Sequence, residues 1–292
     1  MEEILIGGMP PDQYLIEVVR PKLISLENTL IFNLLERAQY ATNDVVYLPG
    51  GLKVKGFEGS FFDFMLKGTE ETHARAGRFD HAEELPFSED LPECIVTRAS
   101  ENIPIKRTGL NLNPDIREAY FEIMRNICEP GDDTHYGSAV ELDIRCLQVL
   151  SHRIHIGEEV AETKFCKYPE KYQRLIAEGD TKEITKKLTN QKVEDLIQER
   201  VFRRTIDYQT EDILGNGEVA VQIFKDLIAS QKEGRVEIGP LKKGGQDKKV
   251  QAHRRLVNPE IIRDFYRDKV IPLTKIIEID YFMNRPIEDQ KD

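Results

Sequence analysis

The stretch YGSAVELDIRCLQVLSHRIHIGEEVAETKF, residues 136–165, decides how the chain is read. Its apolar residues recur at helical spacing, and the longest regular segment of the sequence runs through it from about 138 to 166. Arg153 and Lys164 are eleven residues apart, which at about 100° per residue returns them to within roughly 20° of one face and sets them about 16 Å apart along the axis. Gly157 lies between them, so the spacing predicts a shallow trough between two cations. Leu147, Leu150 and Ile154 follow around the helix and place the basic pair at the margin of a buried stripe.

The same periodicity governs the rest. Residues 12–42 read as a helix with Asp12 as N-cap, an apolar stripe from Leu23 to Leu35 and an interruption at Pro21. The Gly-rich stretch at 48–60 reads as turns, because its glycines lack phosphate-loop spacing. A helix follows over 61–79, and the proline-bearing region 80–114 reads as a surface crossover. Further helices are predicted from Asp115, at 169–178, 180–187 and 191–208, and from Pro259 to Arg285 with a kink at Pro272. Alternation typical of strands is missing, so the fold class is all-α: one helical bundle over residues 1–292, with an exposed insertion at 209–258 before the C-terminal helix.

Composition narrows the function. The 292 residues are 40% hydrophobic and carry a net charge of -11, which suits a globular protein and argues against nucleic acid or an anionic membrane as partner. No apolar run reaches membrane-spanning length, and the N-terminus lacks the pattern of a signal peptide, so the chain reads as cytoplasmic. Cys94, Cys128, Cys146 and Cys166 are widely spaced and read as reduced structural thiols. His152 and His155 read as hydrogen-bonded helix residues rather than metal ligands, and no cofactor motif is present. Two pairs share a helix face at four-residue spacing, Asn190 with Glu194 and Thr274 with Glu278. By spacing alone such pairs are more often solvated faces or caps.

The run YGS...D-I-x-C-L-Q-x-L-S-x-R-I-H-x-G-x-x-V-A-E-x-K-F closely resembles the signature of fungal and plant chorismate mutases. VRPKLISLENTLIFNLLERAQYAT, HARAGRFDHAEELPF, TNQKVEDLIQER and YRDKVIPLTKIIEIDY match in order, covering nearly all the chain outside 209–258. The resemblance implies an all-helical, usually dimeric enzyme that converts chorismate to prephenate without metal or cofactor. Arg20 and Arg153 match the arginines that bind the two substrate carboxylates, helped by Thr274 and Asn190. Lys164 matches the lysine that donates to the ether oxygen, Glu278 the glutamate on its other side, and Glu194 one near the ring hydroxyl. On this reading Lys164, Glu278 and Arg153 are catalytic, and Glu278 acts as a donor in its protonated form.

The family's effector site for tyrosine and tryptophan commonly has two adjacent arginines where this chain has Gly77 and Arg78, and a threonine where it has Glu141. Gly137 and Ser138 of that site are retained. One lost cation and one added carboxylate argue for weak feedback control by aromatic amino acids. The competing reading is a non-catalytic homologue that binds a partner through its insertion. Retention of all seven pocket positions argues against it.

Overall fold

The computed structural model describes residues 5–97, 108–214 and 255–285, and these residues are helical without a β-sheet. Helix α1 comprises Pro11–Tyr14, a π turn at Leu15–Val19, and Arg20–Arg37. Pro11 occupies the first helical position, where its missing N–H costs nothing. Asp12 is therefore inside the first turn rather than capping it, and accepts from Lys167 at 2.6 Å. The helix stops at Arg37, five residues short of expectation, because the Arg37 guanidinium collects the carbonyls of Ala41 at 2.9 Å and Thr42 at 3.2 Å from the returning chain.

Helix α2, Phe61–Arg75, starts on a capping box in which the Ser60 hydroxyl accepts from the Asp63 amide at 3.0 Å. It ends because Gly77 takes φ +76°, a left-handed conformation that suits glycine. Arg78 then opens a short 3-10 turn. Helices α3 (Asn113–Ile127), α4 (Tyr136–His155), α5 (Gly157–Lys167), α6 (Pro169–Glu178), α7 (Thr181–Leu188) and α8 (Gln191–Leu214) follow. Helix α9 comprises Pro259–Phe265, a π turn at Tyr266–Val270, and Ile271–Asn284.

Both π turns have one cause. Pro21 and Pro272 sit two residues beyond them, where a proline ring would strike the carbonyl four residues back. The helix widens instead: the Arg20 amide bonds the Leu15 carbonyl and the Ile271 amide bonds the Tyr266 carbonyl, each five residues back. The expected interruption at Pro21 and kink at Pro272 thus take the form of local unwinding within continuous helices.

Both flanks of the predicted insertion at 209–258 pack as part of the helical body. Helix α8 runs to Leu214, and the buried Gln209 side chain bonds both the amide (2.6 Å) and carbonyl (3.1 Å) of Val257. Gln39 holds Arg255 in the same way, and Leu256 and Val257 are buried, so these flanks belong to the core. The middle of that predicted insertion, 215–254, and part of the 80–114 crossover lie outside the described residues. Among the described residues no helix is long and apolar enough to cross a membrane.

Two apolar clusters fill the interior. The larger joins α1, α2, α3, α4, α8 and α9; the smaller joins the start of α1 to α5, α6, α7 and the end of α9. The larger surrounds a charged centre: Arg37 and Asp143, both fully buried, pair at 2.6 Å. Asp143 also accepts from the hydroxyls of Tyr47 (2.6 Å) and Tyr120 (2.5 Å). Cys128, Cys146 and Cys166 are buried, and no disulfide joins the four cysteines.

Removing one partner of such a pair strands the other charge in the core. Arg37→Met is expected to cost about 3–5 kcal/mol in urea unfolding, and adding Asp143→Leu should recover part of that loss. A single variant within about 0.5 kcal/mol of the parent would show that the pair does not organise the core.

Candidate active site

Of the predicted residues, Arg153, Lys164, Thr274 and Glu278 lie on α4, α5 and α9, which pack against one another. The decisive stretch is not one helix: α4 closes at His155, Ile156 forms a turn, and α5 restarts at Gly157. Arg153 ends the first helix and Lys164 lies within the second, with α9 packed against both. The trough expected at Gly157 is filled by that helix. A Cβ built on Gly157 would stand 3.0 Å from the Thr274 carbonyl oxygen and 3.1 Å from Ile277 Cγ2, so glycine is required for close approach.

Arg153 is 4% exposed, and among the described residues its Nε and Nη1 have no hydrogen-bond partner. An arginine stays charged, and a buried guanidinium with unfilled donors is costly unless an anion meets it. Beside it stands Tyr266, fully buried, its hydroxyl also without a partner. Burial, with the nearby Glu27 carboxylate, pushes that phenol far above its usual range, so it remains a donor. Glu27, 1% exposed, is held by Arg200 through a bidentate pair at 2.6 and 2.9 Å.

Lys164 Nζ donates to Glu278 Oε2 at 2.7 Å. The two groups expected on opposite sides of one ether oxygen therefore bond each other directly. Thr274 is buried, and its hydroxyl donates to the Val270 carbonyl at 2.8 Å, which commits its one proton inside α9. Holding a carboxylate would require that bond to switch. Asn190 is exposed and serves as the cap of α8, accepting from the Val193 amide at 3.4 Å. Glu194 is paired with Lys275 at 2.8 Å, a partner that spacing did not show. Arg20 is exposed on α1 and shares its face with Glu27, seven residues on.

The effector candidates do not meet within one chain. Arg78 lies beside the far half of α4, donating to Gln148 at 2.9 Å and contacting the His73 ring at 3.1 Å. Gly137 and Ser138 are exposed in the first turn of that helix, and ten residues of helix separate Ser138 from Gln148, about 15 Å. Arg78 is also ion-paired with Glu84. Glu141 pairs with Arg145 on the surface.

Of the two histidines expected to be hydrogen-bonded, His155 is, whereas the buried His152 Nε2 has no hydrogen-bond partner among the described residues. The amide of Leu112 donates to His155 Nε2 at 3.2 Å, leaving Nδ1, 2.8 Å from the Ser151 carbonyl, to carry the proton. His152 sits 3.8 Å from both Glu83 and Glu84, with burial lowering its pKa.

The arrangement defines an all-helical protein that carries a buried guanidinium, Arg153, and a lysine–carboxylate pair, Lys164 with Glu278, on helices packed against one another. No protein-family model matches the chain. The chorismate mutase of Schizosaccharomyces pombe is 35% identical over 275 residues, covering 92% of this chain and 96% of that one. A cytosolic chorismate mutase of Zea mays is 31% identical over 278 residues, covering 94% and 97%. The crystal structure of AtCM1 with tyrosine bound in its allosteric site superposes with a TM-score of 0.73 at 33% identity, covering 94% of this chain and 97% of that one. The chain belongs to the eukaryotic chorismate mutase family.

The Gly157 contact tests how α9 is seated. Gly157→Ala is expected to lose about 1–3 kcal/mol of stability by overpacking against Thr274 and Ile277, read as a lowered thermal midpoint. An unshifted midpoint would mean that the helices do not approach as described.

Proposed function

We propose that the chain rearranges chorismate to prephenate at the site between α1, α4, α5, α8 and α9. The observation that carries this is Arg153, a buried cation whose Nε and Nη1 donors meet no acceptor among the described residues. A guanidinium fork matches a carboxylate bidentately, and a second fork on Arg20 suits the second carboxylate of an extended dianion. Holding both ends bends the substrate into the chair in which its reacting carbons approach, which supplies much of the rate for a unimolecular reaction.

In the rearrangement one C–O bond breaks as one C–C bond forms, with no atom gained or lost. Negative charge grows on the ether oxygen, and Lys164 stabilises it more in the transition state than in the ground state. The ether oxygen has to replace the present Lys164–Glu278 contact, and Glu278 can serve it only as a protonated donor. Lys275 keeps Glu194 in place as an acceptor for the ring hydroxyl. Asn190 and Thr274 assist at the carboxylates once their present bonds switch. We place the enzyme in the cytoplasm, as the name of the cytosolic Zea mays relative suggests, and as a homodimer on the family resemblance.

Purified protein is expected to consume chorismate and form prephenate. Arg153→Ala should lower kcat/KM by a factor of at least about a hundred, equivalent to about 3 kcal/mol of lost clamp. A variant within twofold of the parent would contradict the assignment.

Regulation by aromatic amino acids follows from the same family, and the local charges argue that it is weak. Glu84 already occupies the Arg78 guanidinium that an effector's carboxylate would need, and Gly77 supplies no second cation. Tyrosine is expected to shift chorismate half-saturation only above millimolar concentration, and Glu84→Gln should lower that threshold about tenfold by releasing Arg78. A sub-millimolar response in the parent protein would contradict this.

A further inference from the structure

One buried charged side chain of α5 has no part in the reaction as described. Glu159 is 5% exposed, five residues before Lys164 and about 140° around the helix from it. Its two oxygens are divided between two residues of α1. The Tyr14 hydroxyl donates to Oε1 at 2.5 Å, and the Lys22 ammonium donates to Oε2 at 3.2 Å.

Those two residues stand on either side of the weakest part of α1. Between them lie the π turn Leu15–Val19, then Arg20 and Pro21. A π turn and a proline both remove regular backbone bonds, and both are sites where helices bend. The direction in which Arg20 leaves the helix is set within this segment. Lys22 is two residues from Arg20, about 200° around the helix, so the carboxylate grips α1 from the side opposite the arginine.

The donors hold their protons. Burial, then the hydrogen bond and charge of Glu159, push the Tyr14 phenol well above its usual range. Burial pulls the Lys22 ammonium down, but the bonds and charges of Glu83 and Glu159 outweigh it and raise its pKa. Glu83 is a second carboxylate on Lys22, fixing the ammonium from the 3-10 turn side.

We propose that Glu159 is a positioning residue for Arg20: its carboxylate bridges Tyr14 and Lys22 across the π turn and fixes the angle at which Arg20 meets a substrate carboxylate. The proposal rests on the reading of Arg20 as a carboxylate ligand.

A double-mutant cycle tests it, with kcat, KM for chorismate and thermal midpoint measured for each protein. Glu159→Leu is expected to raise KM and lower kcat/KM by about tenfold, with Glu159→Gln, which still accepts from Tyr14, recovering part of the loss. In an Arg20→Ala background Glu159→Leu should lower kcat/KM by less than about twofold further, because the residue it aims is gone. Tyr14→Phe removes one arm without emptying the site, so it reports even if Glu159→Leu fails to fold; its loss should also vanish in the Arg20→Ala background. Equal proportional losses in both backgrounds would overturn the positioning role and leave Glu159 a general stabilising residue. Arg20→Ala with full activity would instead overturn the reading of Arg20 beneath it.

Discussion

Helices α1 and α4 are locked together by an ion pair with no access to water. Arg37 and Asp143 are each 0% exposed, and the pair is surrounded by carbonyl, thiol and phenol groups that use the remaining donors and acceptors. Desolvating two charges is expensive, so such a pair contributes little net stability compared with apolar residues of equal size. It contributes register. A sliding or rotated α1 would strand a charge, whereas apolar stripes tolerate small displacements. Arg20 lies seventeen residues upstream of Arg37, about 25 Å, and Arg153 ten residues beyond Asp143, about 15 Å. The two arginines of the proposed clamp are therefore carried on helices whose relative placement is fixed at a distance from the chemistry.

From that fixed point outward, the structure departs from regular helix where the site needs direction. The π turns before Pro21 and Pro272 change the rotation of everything beyond them in α1 and α9. Arg20 follows one turn immediately, and Thr274, Lys275 and Glu278 follow the other. The turn at Ile156 similarly separates Arg153 from Lys164, and Gly157 lets α9 close on that junction. Glu159 and Glu162 then tie α5 to both neighbours. Glu162 accepts from Tyr281 at 2.9 Å and bidentately from Arg285 at 2.7 and 2.8 Å at the end of α9. Burial raises the Glu162 carboxyl, but the Arg285 bonds outweigh it and hold its pKa below the usual range. Since that pKa is lower folded than unfolded, its stabilisation is complete above about pH 4.3 and fades as pH falls through the folded value.

The fold class was legible because apolar residues in α1, α4 and α9 recur with one period, and periodicity survives without knowledge of neighbours. Arg153, Lys164 and Glu278 were singled out together by family resemblance, since spacing alone left a solvated face or cap as the commoner reading of the Thr274/Glu278 pair. The partners were not legible. Glu159 looks like a solvated acid in GEEVAE, yet its donors are 145 and 137 residues away. Lys275, Arg200 and Glu84 likewise gain meaning only from helices brought beside them. The trough at Gly157 was misread for the same reason: a small residue between two cations looks open until a third helix is placed against it.

In the proposed complex a dicarboxylate in a chair conformation fits between Arg20 and Arg153, with its ether oxygen at Lys164 and Glu278. A crystal structure with a bicyclic ether dicarboxylate that mimics the rearranging chair tests it most directly. The account predicts one molecule per chain, a carboxylate on Arg153 Nε and Nη1, the other carboxylate on Arg20, and the ether oxygen inserted between Lys164 and Glu278. An analogue bound elsewhere, or bound with Arg153 still without a partner and the Lys164–Glu278 contact intact, would contradict it.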